Sequence, residues 1–259
     1  MDFGQFGEFW QRVARDRFDA QGAMTVEALL ERALNRWRTC AVCTLLQERN
    51  FDLASRWQYG LSRNPAGQAE FVAGQTWCNA HAWLFNEVIA PRDLARLHRR
   101  LQALLQARAD ELLRQETARV CGGGTVQILR ELIGDRRCPL CDDRAALEAL
   151  LLGALARGLT SGSLRSVFAK SSGCCLPHVA GLLRAIGDED TTRFVLEAVV
   201  AQSSRLAQEL ETYETETESR RRRYGAAADA PVRAMICWAG LRGMVSADPQ
   251  REDVSRIHG

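Results

Sequence analysis

Residues 138–141 read Cys-Pro-Leu-Cys and residues 175–178 read Cys-Leu-Pro-His, and the same spacing of ligand-type residues occurs once more, earlier in the chain. There, a CxxC motif at residues 40–43 precedes a CxxH motif at residues 78–81. The CxxC and CxxH motifs are separated by 34 residues in the first copy and by 33 in the second. The chain therefore contains an internal repeat in which equivalent residues lie 97 or 98 positions apart.

The repeat extends beyond the ligand-type residues. Residues 25–30 read Thr-Val-Glu-Ala-Leu-Leu, and residues 125–130, shortly before the second CxxC motif, read Thr-Val-Gln-Ile-Leu-Arg. Between the copies lies a Cys-Gly-Gly-Gly sequence, and consecutive glycines favour a flexible connection. We therefore predict five segments in chain order. They are an N-terminal amphipathic helix (1–24), a metal-binding helical module (25–120), a Gly-rich junction (121–124), a second metal-binding helical module (125–223), and a C-terminal helix with its tail (224–259).

Helical spacing dominates the hydrophobic pattern, and strand-like alternation is scarce. The sequence therefore predicts an all-α fold. The first helix has a continuous apolar face, formed by Val26, Leu29, Leu30, Ala33, Leu34 and Trp37. In each module we expect this helix, a second that begins at the CxxC motif, a third that begins at the CxxH motif, and a long fourth. Pro139 and Pro177 support helix starts at the two motifs of the second module, because the fixed φ of proline suits the first turn of a helix.

Two further helix boundaries can be predicted. In the first module the leucines between Leu94 and Leu105 indicate the fourth helix, and in the second module Asp190 or Thr191 is expected to cap it. A last helix is predicted across residues 231–244.

The spacing of the motifs suits metal binding, because a tight turn can direct two ligands at one ion and a second turn completes a tetrahedral site. We predict that each module binds one ion through its own four residues: Cys40, Cys43, Cys78 and His81 in the first, and Cys138, Cys141, Cys175 and His178 in the second. Zinc, two ions per chain, is the expected metal because three thiolates and an imidazole form a common structural set. Iron–sulfur clusters are the alternative, and buried cysteines without metal remain open.

Three other cysteines fall outside this pattern. Cys174 aligns with Trp77 in the repeat, so we expect Cys175 to be the ligand and Cys174 to be a bystander. Cys121 and Cys237 are interpreted as buried or incidental thiols. The alternative for Cys174 is a reactive or exchanging ligand beside the metal.

The pattern resembles a bacterial protein family that carries tandem CPxC and CxxH motifs in a helical setting. The resemblance covers residues 25–240, and the second copy of the motifs carries it most clearly. The first copy departs from the pattern, with Ala41 in place of a proline and Ala80 before its histidine, but neither change removes a ligand. The resemblance implies a metal-site architecture and no established activity.

Composition and motifs exclude several classes of function. The chain has 259 residues with a formal net charge of +2, which makes nucleic acid an unlikely partner despite the basic residues near Arg99. It has no apolar run long enough to span a membrane. Phosphate-loop, dinucleotide, HExxH and GxSxG motifs are missing, and four protein ligands would close a metal site, so a non-enzymatic role is favoured over catalysis. Without features of a signal peptide, and with nine cysteines, we expect a cytoplasmic protein.

Three hypotheses about function follow. The first is a helical scaffold or adaptor with two structural zinc sites that acts through a protein partner. The second is an iron–sulfur redox or sensor protein with two clusters, and the third is a metal- or sulfur-handling protein that uses Cys174. An apolar stripe of Phe3, Phe6, Trp10 and Val13 is expected to pack on the protein's own core, with partner docking or membrane-surface binding as the alternatives.

Overall fold

The computed structural model describes residues 25–63, 78–116, 138–215 and 229–241. Within these ranges the chain forms nine helices and no strand, so the all-α prediction is confirmed. In chain order the helices are α1 (Val26–Arg36), α2 (Ala41–Arg63), α3 (Asn79–Val88), α4 (Pro91–Glu116), α5 (Pro139–Ser161), α6 (Arg165–Lys170), α7 (Leu176–Ala185), α8 (Glu189–Thr215) and α9 (Ala230–Ala239). In these ranges no helix combines the length and apolar character that crossing a membrane requires.

Several predicted features lie outside the described residues. They are the N-terminal helix at residues 1–24 with its apolar stripe, the junction at 121–124 with Cys121, and the repeat of the first helix at 125–130.

Helix α1 follows from its sequence almost as predicted. The Thr25 side chain caps it, because Thr25 Oγ1 accepts a hydrogen bond of 3.2 Å from the backbone N–H of Ala28. The apolar face is buried at Leu29, Leu30, Ala33 and Leu34. Trp37, the last predicted member of that face, is 38% exposed. The prediction is wrong for Trp37 because the helix ends at Arg36 and Trp37 has extended backbone, which breaks the 3.6-residue period.

Four helices begin at the cysteine motifs, as the sequence predicts. Each of α2, α3, α5 and α7 starts on the residue that follows the first cysteine of its motif. Cys78 and Cys175 are themselves the N-caps of α3 and α7 and have extended backbone. Pro139 is the first residue of α5 and Pro177 is the second residue of α7, so both prolines occupy the first turn.

The contacts divide the chain into two compact units. Unit 1 comprises residues 1–48 and 145–259, and unit 2 comprises residues 49–144. Helices α2 and α5 each contribute residues to both units. The units therefore do not coincide with the two sequence repeats, and the prediction of two tandem helical modules is not confirmed.

Unit 1 has a core of aliphatic side chains around Phe168, including Leu155, Leu159 and Leu182, all fully buried. Helix α6 packs against α1 and α8, and α9 packs against α7 and α8. Helix α8 begins at Glu189, and its cap is Asp188, whose Oδ1 accepts a hydrogen bond of 2.7 Å from the N–H of Thr191. The predicted caps, Asp190 and Thr191, are wrong because both residues already lie inside the helix.

Unit 2 is centred on Trp57 of α2 and Phe85 of α3, whose ring centroids lie 5.6 Å apart. Leu97 of α4 is also buried, which agrees with the predicted fourth helix of the first repeat. The guanidinium of Arg49 forms a two-point ion pair with Asp143, with both N···O distances 3.2 Å. This pair joins α2 to the first turns of α5.

Candidate metal centres

Four ligand-type residues converge in unit 1, and we call them the unit 1 cluster: Cys40, Cys43, Cys175 and His178. Their ligand atoms all lie within 4.8 Å of one another. His178 Nδ1 is 3.4 Å from the sulfurs of Cys40 and Cys43 and 3.1 Å from that of Cys175. The Cys43 and Cys175 sulfurs are 3.7 Å apart. All four residues are buried.

The other four residues converge in unit 2 and form the unit 2 cluster: Cys78, His81, Cys138 and Cys141. His81 Nδ1 is 3.2 Å from the Cys78 sulfur and 3.3 Å from the sulfurs of Cys138 and Cys141. The sulfurs of Cys141 and Cys78 are 3.5 Å apart. Cys138 and His81 are buried, whereas Cys78 and Cys141 are partly exposed.

The structure thus brings together all eight predicted residues, but not in the predicted sets. Each cluster combines the CxxC motif of one repeat with the CxxH motif of the other. The prediction that Cys40, Cys43, Cys78 and His81 form one site, and Cys138, Cys141, Cys175 and His178 another, is wrong.

The reason lies in the long helix that follows each CxxC motif. Helix α2 continues without a break for 23 residues after Cys40. The next CxxH motif meets the flank of α2, where His81 contacts Asn50. At a rise of 1.5 Å per residue, Asn50 lies about 10 Å along the axis from Cys43. His81 therefore cannot share an ion with Cys43.

The distances within each cluster fit a single tetrahedral ion. With metal–sulfur and metal–nitrogen bonds of about 2.3 Å and 2.0 to 2.1 Å, a tetrahedron has S···S edges of about 3.8 Å and S···N edges of about 3.6 Å. The S···S distances of 3.7 and 3.5 Å are close to that edge. The S···N distances, between 3.1 and 3.4 Å, are slightly shorter. Both clusters can therefore hold a metal ion through three thiolates and one imidazole.

In the unit 1 cluster, the side chains favour a charged pair. Burial acts to raise the pKa of Cys40, but hydrogen bonds from the neighbouring thiols and from His178 outweigh it and lower the pKa well below its ordinary value. Burial acts to lower the pKa of His178, but hydrogen bonds to Cys40 and Cys43 and to Glu148 raise it to about 11. The hydrogen bonds to Cys40 and Cys43 raise the pKa of Cys175. These shifts favour a thiolate over a thiol at Cys40.

In the unit 2 cluster, the side chains favour neutral forms. Burial, followed by the positive charge of Arg144, lowers the pKa of His81 to about 4. Burial and the neighbouring sulfurs of Cys138 and Cys78 raise the pKa of Cys141 to about 12. A metal ion that binds here must therefore displace the protons of the thiols.

The outer nitrogen of each histidine has a different partner in the two clusters. His178 Nε2 is 3.3 Å from the carboxylate oxygen Oε1 of Glu148. His81 Nε2 is 3.3 Å from the side-chain amide of Asn50. A histidine that binds metal through Nδ1 carries its proton on Nε2, and the group that accepts this proton fixes the ring. The Glu148 carboxylate can accept it, whereas Asn50 faces His81 with its amide nitrogen Nδ2 and accepts it only after a flip of the amide that presents Oδ1.

Sequence reasoning missed both of these residues, although the repeat contains the signal. Asn50 follows Cys43 by seven residues and Glu148 follows Cys141 by seven, so the two occupy equivalent positions. An asparagine and a glutamate do not resemble each other enough to stand out when the repeat is aligned by its cysteines and histidines.

Two more thiols lie beside the unit 1 cluster. Cys174 is buried and hydrogen-bonded to Cys40, but it does not belong to the group of four. Burial, followed by the negative charge of Cys40, raises the pKa of the partly exposed Cys237 on α9. After α9 the backbone N–H of Leu241 donates a 3.4 Å hydrogen bond to the Cys43 sulfur. The C-terminal helix therefore helps to cover this cluster.

Comparison of the chain with protein-family models, with curated proteins and with solved structures finds no match. The resemblance to the bacterial CPxC and CxxH family therefore stays a prediction.

Proposed function

We propose that the protein is a helical scaffold held together by two structural zinc ions, one in each cluster, and that it acts through a protein partner. The observation that carries the zinc part is the spacing of the ligand atoms. In each set, three sulfurs and one nitrogen lie within 4.8 Å of one another, a spacing that supports binding of one tetrahedral zinc ion.

The same spacing favours a single ion over an iron–sulfur cluster. In a [4Fe–4S] cluster each ligand binds a different iron atom, and in a [2Fe–2S] cluster each iron takes two of the four ligands, so ligands on different irons stand farther apart than ligands on one ion. In each cluster here all four ligand atoms lie within 4.8 Å of one another, which suits one ion better than two or more irons. Zinc is favoured among single ions because three thiolates and an imidazole are a common zinc set.

The ions would act structurally. Four protein ligands complete a tetrahedral shell, which leaves no position for a substrate or a reactive water. Each ion would also connect distant parts of the chain: Cys43 and Cys175, for example, are 132 residues apart. Binding that exists only in the folded state contributes directly to folding free energy, so both units would depend on their ions. Thiolate ligands require reducing conditions, which supports a cytoplasmic location.

The partner part of the proposal is supported by an apolar stripe on α9. Val232, Met235 and Trp238 follow one another at a spacing of three residues, and all three are exposed, Trp238 by 73%. An exposed tryptophan beside other apolar side chains is typical of protein interfaces. A crosslinker placed at position 238 should capture a partner protein, whereas a crosslinker placed at the exposed position Glu189 should not. With the purified partner, the Trp238→Glu variant should show no binding. Equal capture at both positions would contradict this part.

The zinc part is tested by metal analysis of untagged protein purified without oxygen, with a visible spectrum of the same sample. We expect about two zinc ions per chain and no visible colour. Iron with acid-labile sulfide and a broad visible band would instead establish the redox alternative. Absence of both metals would refute the proposal.

A further inference from the structure

We infer that the two clusters differ in function: the unit 2 cluster is an exchangeable zinc site that responds to the supply of zinc and to competing chelators, whereas the unit 1 cluster keeps its ion permanently. This inference rests on the proposed function, since it requires that both clusters bind zinc. Two independent differences between the clusters carry it.

The first difference is access to the ligands. Every residue of the unit 1 cluster is buried, and α9 with the Leu241 N–H covers Cys43. In the unit 2 cluster, Cys78 and Cys141 are partly exposed. A chelator removes zinc by attacking the ion while one thiolate departs, so the site with the less buried cysteines exchanges faster. The sulfurs of these two partly exposed cysteines are adjacent, 3.5 Å apart, so the less buried residues lie on the same side of the cluster.

The second difference is the group that holds each histidine. The carboxylate of Glu148 lies 3.3 Å from His178 Nε2, where it can serve as the outer partner of a carboxylate–histidine–metal arrangement and make the imidazole a stronger ligand. At the equivalent repeat position, Asn50 places a neutral amide against His81 Nε2. A neutral amide fixes the ring but adds no negative charge, so His81 is the weaker ligand. Replacing such outer partners changes metal affinity by about 10- to 100-fold.

Zinc release from the intact protein tests the inference. Zinc-loaded chain is mixed with excess chelator while N-ethylmaleimide labels freed thiols, and the labelled cysteines are identified by peptide mass spectrometry. We expect two phases, with Cys78, Cys138 and Cys141 labelled in the first, and Cys40, Cys43 and Cys175 at least tenfold more slowly in the second. Release in a single phase, or in the reverse order, would overturn the inference.

Two isosteric substitutions test the role of the outer partners. Glu148→Gln should accelerate the slow phase by about 10- to 100-fold and leave the fast phase unchanged. Asn50→Asp should slow the fast phase and leave the slow phase unchanged. If neither rate changes while circular dichroism shows both variants folded, Glu148 and Asn50 do not set the difference and the inference fails in that part. Wild-type protein that releases no zinc because it contains none would refute the proposed function itself, so the two failures are distinguishable.

Discussion

Asn50 and Glu148 occupy equivalent positions in the repeat, and each faces the outer nitrogen of the histidine from its own repeat. Asn50 contacts His81, and Glu148 contacts His178. Each residue lies seven positions after a CxxC motif whose cysteines belong to the other cluster. Each CxxC motif, together with the helix that it begins (α2 or α5), therefore supplies two thiols to one cluster and the histidine partner to the other. This exchange explains why the two units do not follow the two repeats.

Gly173 should be required for the unit 1 cluster. Its φ is +65°, and a Cβ there would lie 2.3 Å from the Gln202 side chain, which is held by a 3.0 Å hydrogen bond to the Phe168 carbonyl. Gly173→Ala should lower the free energy of unfolding by about 2 to 3 kcal/mol, from backbone strain and loss of that bond. Because the Gly173 carbonyl accepts a hydrogen bond from Ala41 N–H beside Cys40, zinc release from unit 1 should also accelerate.

Gly162 provides the matched control for this substitution. Its φ is +88°, but a Cβ there would meet no atom within 4 Å. Gly162→Ala should therefore cost only the backbone strain, about 1 to 2 kcal/mol, with normal zinc release. Urea unfolding of both variants in the presence of zinc measures the difference. Equal losses for the two would contradict the predicted contact with Gln202.

Cys174 should be dispensable for metal binding. It is buried beside Cys40 but stands outside the four-residue group. Cys174→Ser should retain about two zinc ions per chain and release them at the wild-type rates, as measured by metal analysis and chelator challenge. A lost ion, or a changed release rate in unit 1, would instead support the hypothesis of a metal-handling protein that uses this thiol.

Glu209 should stabilise unit 1 in a pH-dependent way. Partial burial acts to raise the pKa of its carboxyl, but the hydrogen bond and charge of Arg233 and the charge of Arg38 outweigh this and lower the pKa. A carboxyl with a lowered pKa contributes stability that is fully present above its pKa in the unfolded chain. This stability is lost as the pH falls through the pKa of the carboxyl in the folded protein. Glu209→Gln should therefore cost about 0.5 to 1 kcal/mol at pH 7 and progressively less below about pH 4.

Thermal unfolding at a series of pH values measures this effect as the difference in Tm between wild type and variant. Glu211→Gln, at an exposed position of the same helix, is the control and should change Tm little at any pH. A Glu209→Gln deficit that is the same at pH 7 and pH 3 would show that lost packing, and not charge, is responsible.

How far the sequence predicts the structure depends on the range of the interaction involved. Helix starts at the cysteine motifs were predictable, because Pro139 and Pro177 favour the first turn of a helix through their own backbone geometry. The cap of α8 was predicted two or three residues late, since Asp188 caps it in place of Asp190 or Thr191. The eight cluster residues were also predictable, because the repeat singles them out. Which cysteines share an ion was not predictable, because either pairing gives each ion one CxxC motif and one CxxH motif, so the motifs alone do not distinguish the two. Only the packing of His81 against α2 selects one of them.

The central claim is that each cluster takes its ligands from both repeats, and thiol labelling of Cys175→Ser in zinc-loaded protein tests it most directly. We expect this variant to bind one zinc ion, with Cys40 and Cys43 reacting rapidly with N-ethylmaleimide while Cys138 and Cys141 stay protected. The reciprocal variant Cys141→Ser should expose Cys78 and Cys138 and leave the unit 1 cluster protected. If Cys175→Ser instead exposes Cys138 and Cys141, the sites form within each repeat and the account is contradicted.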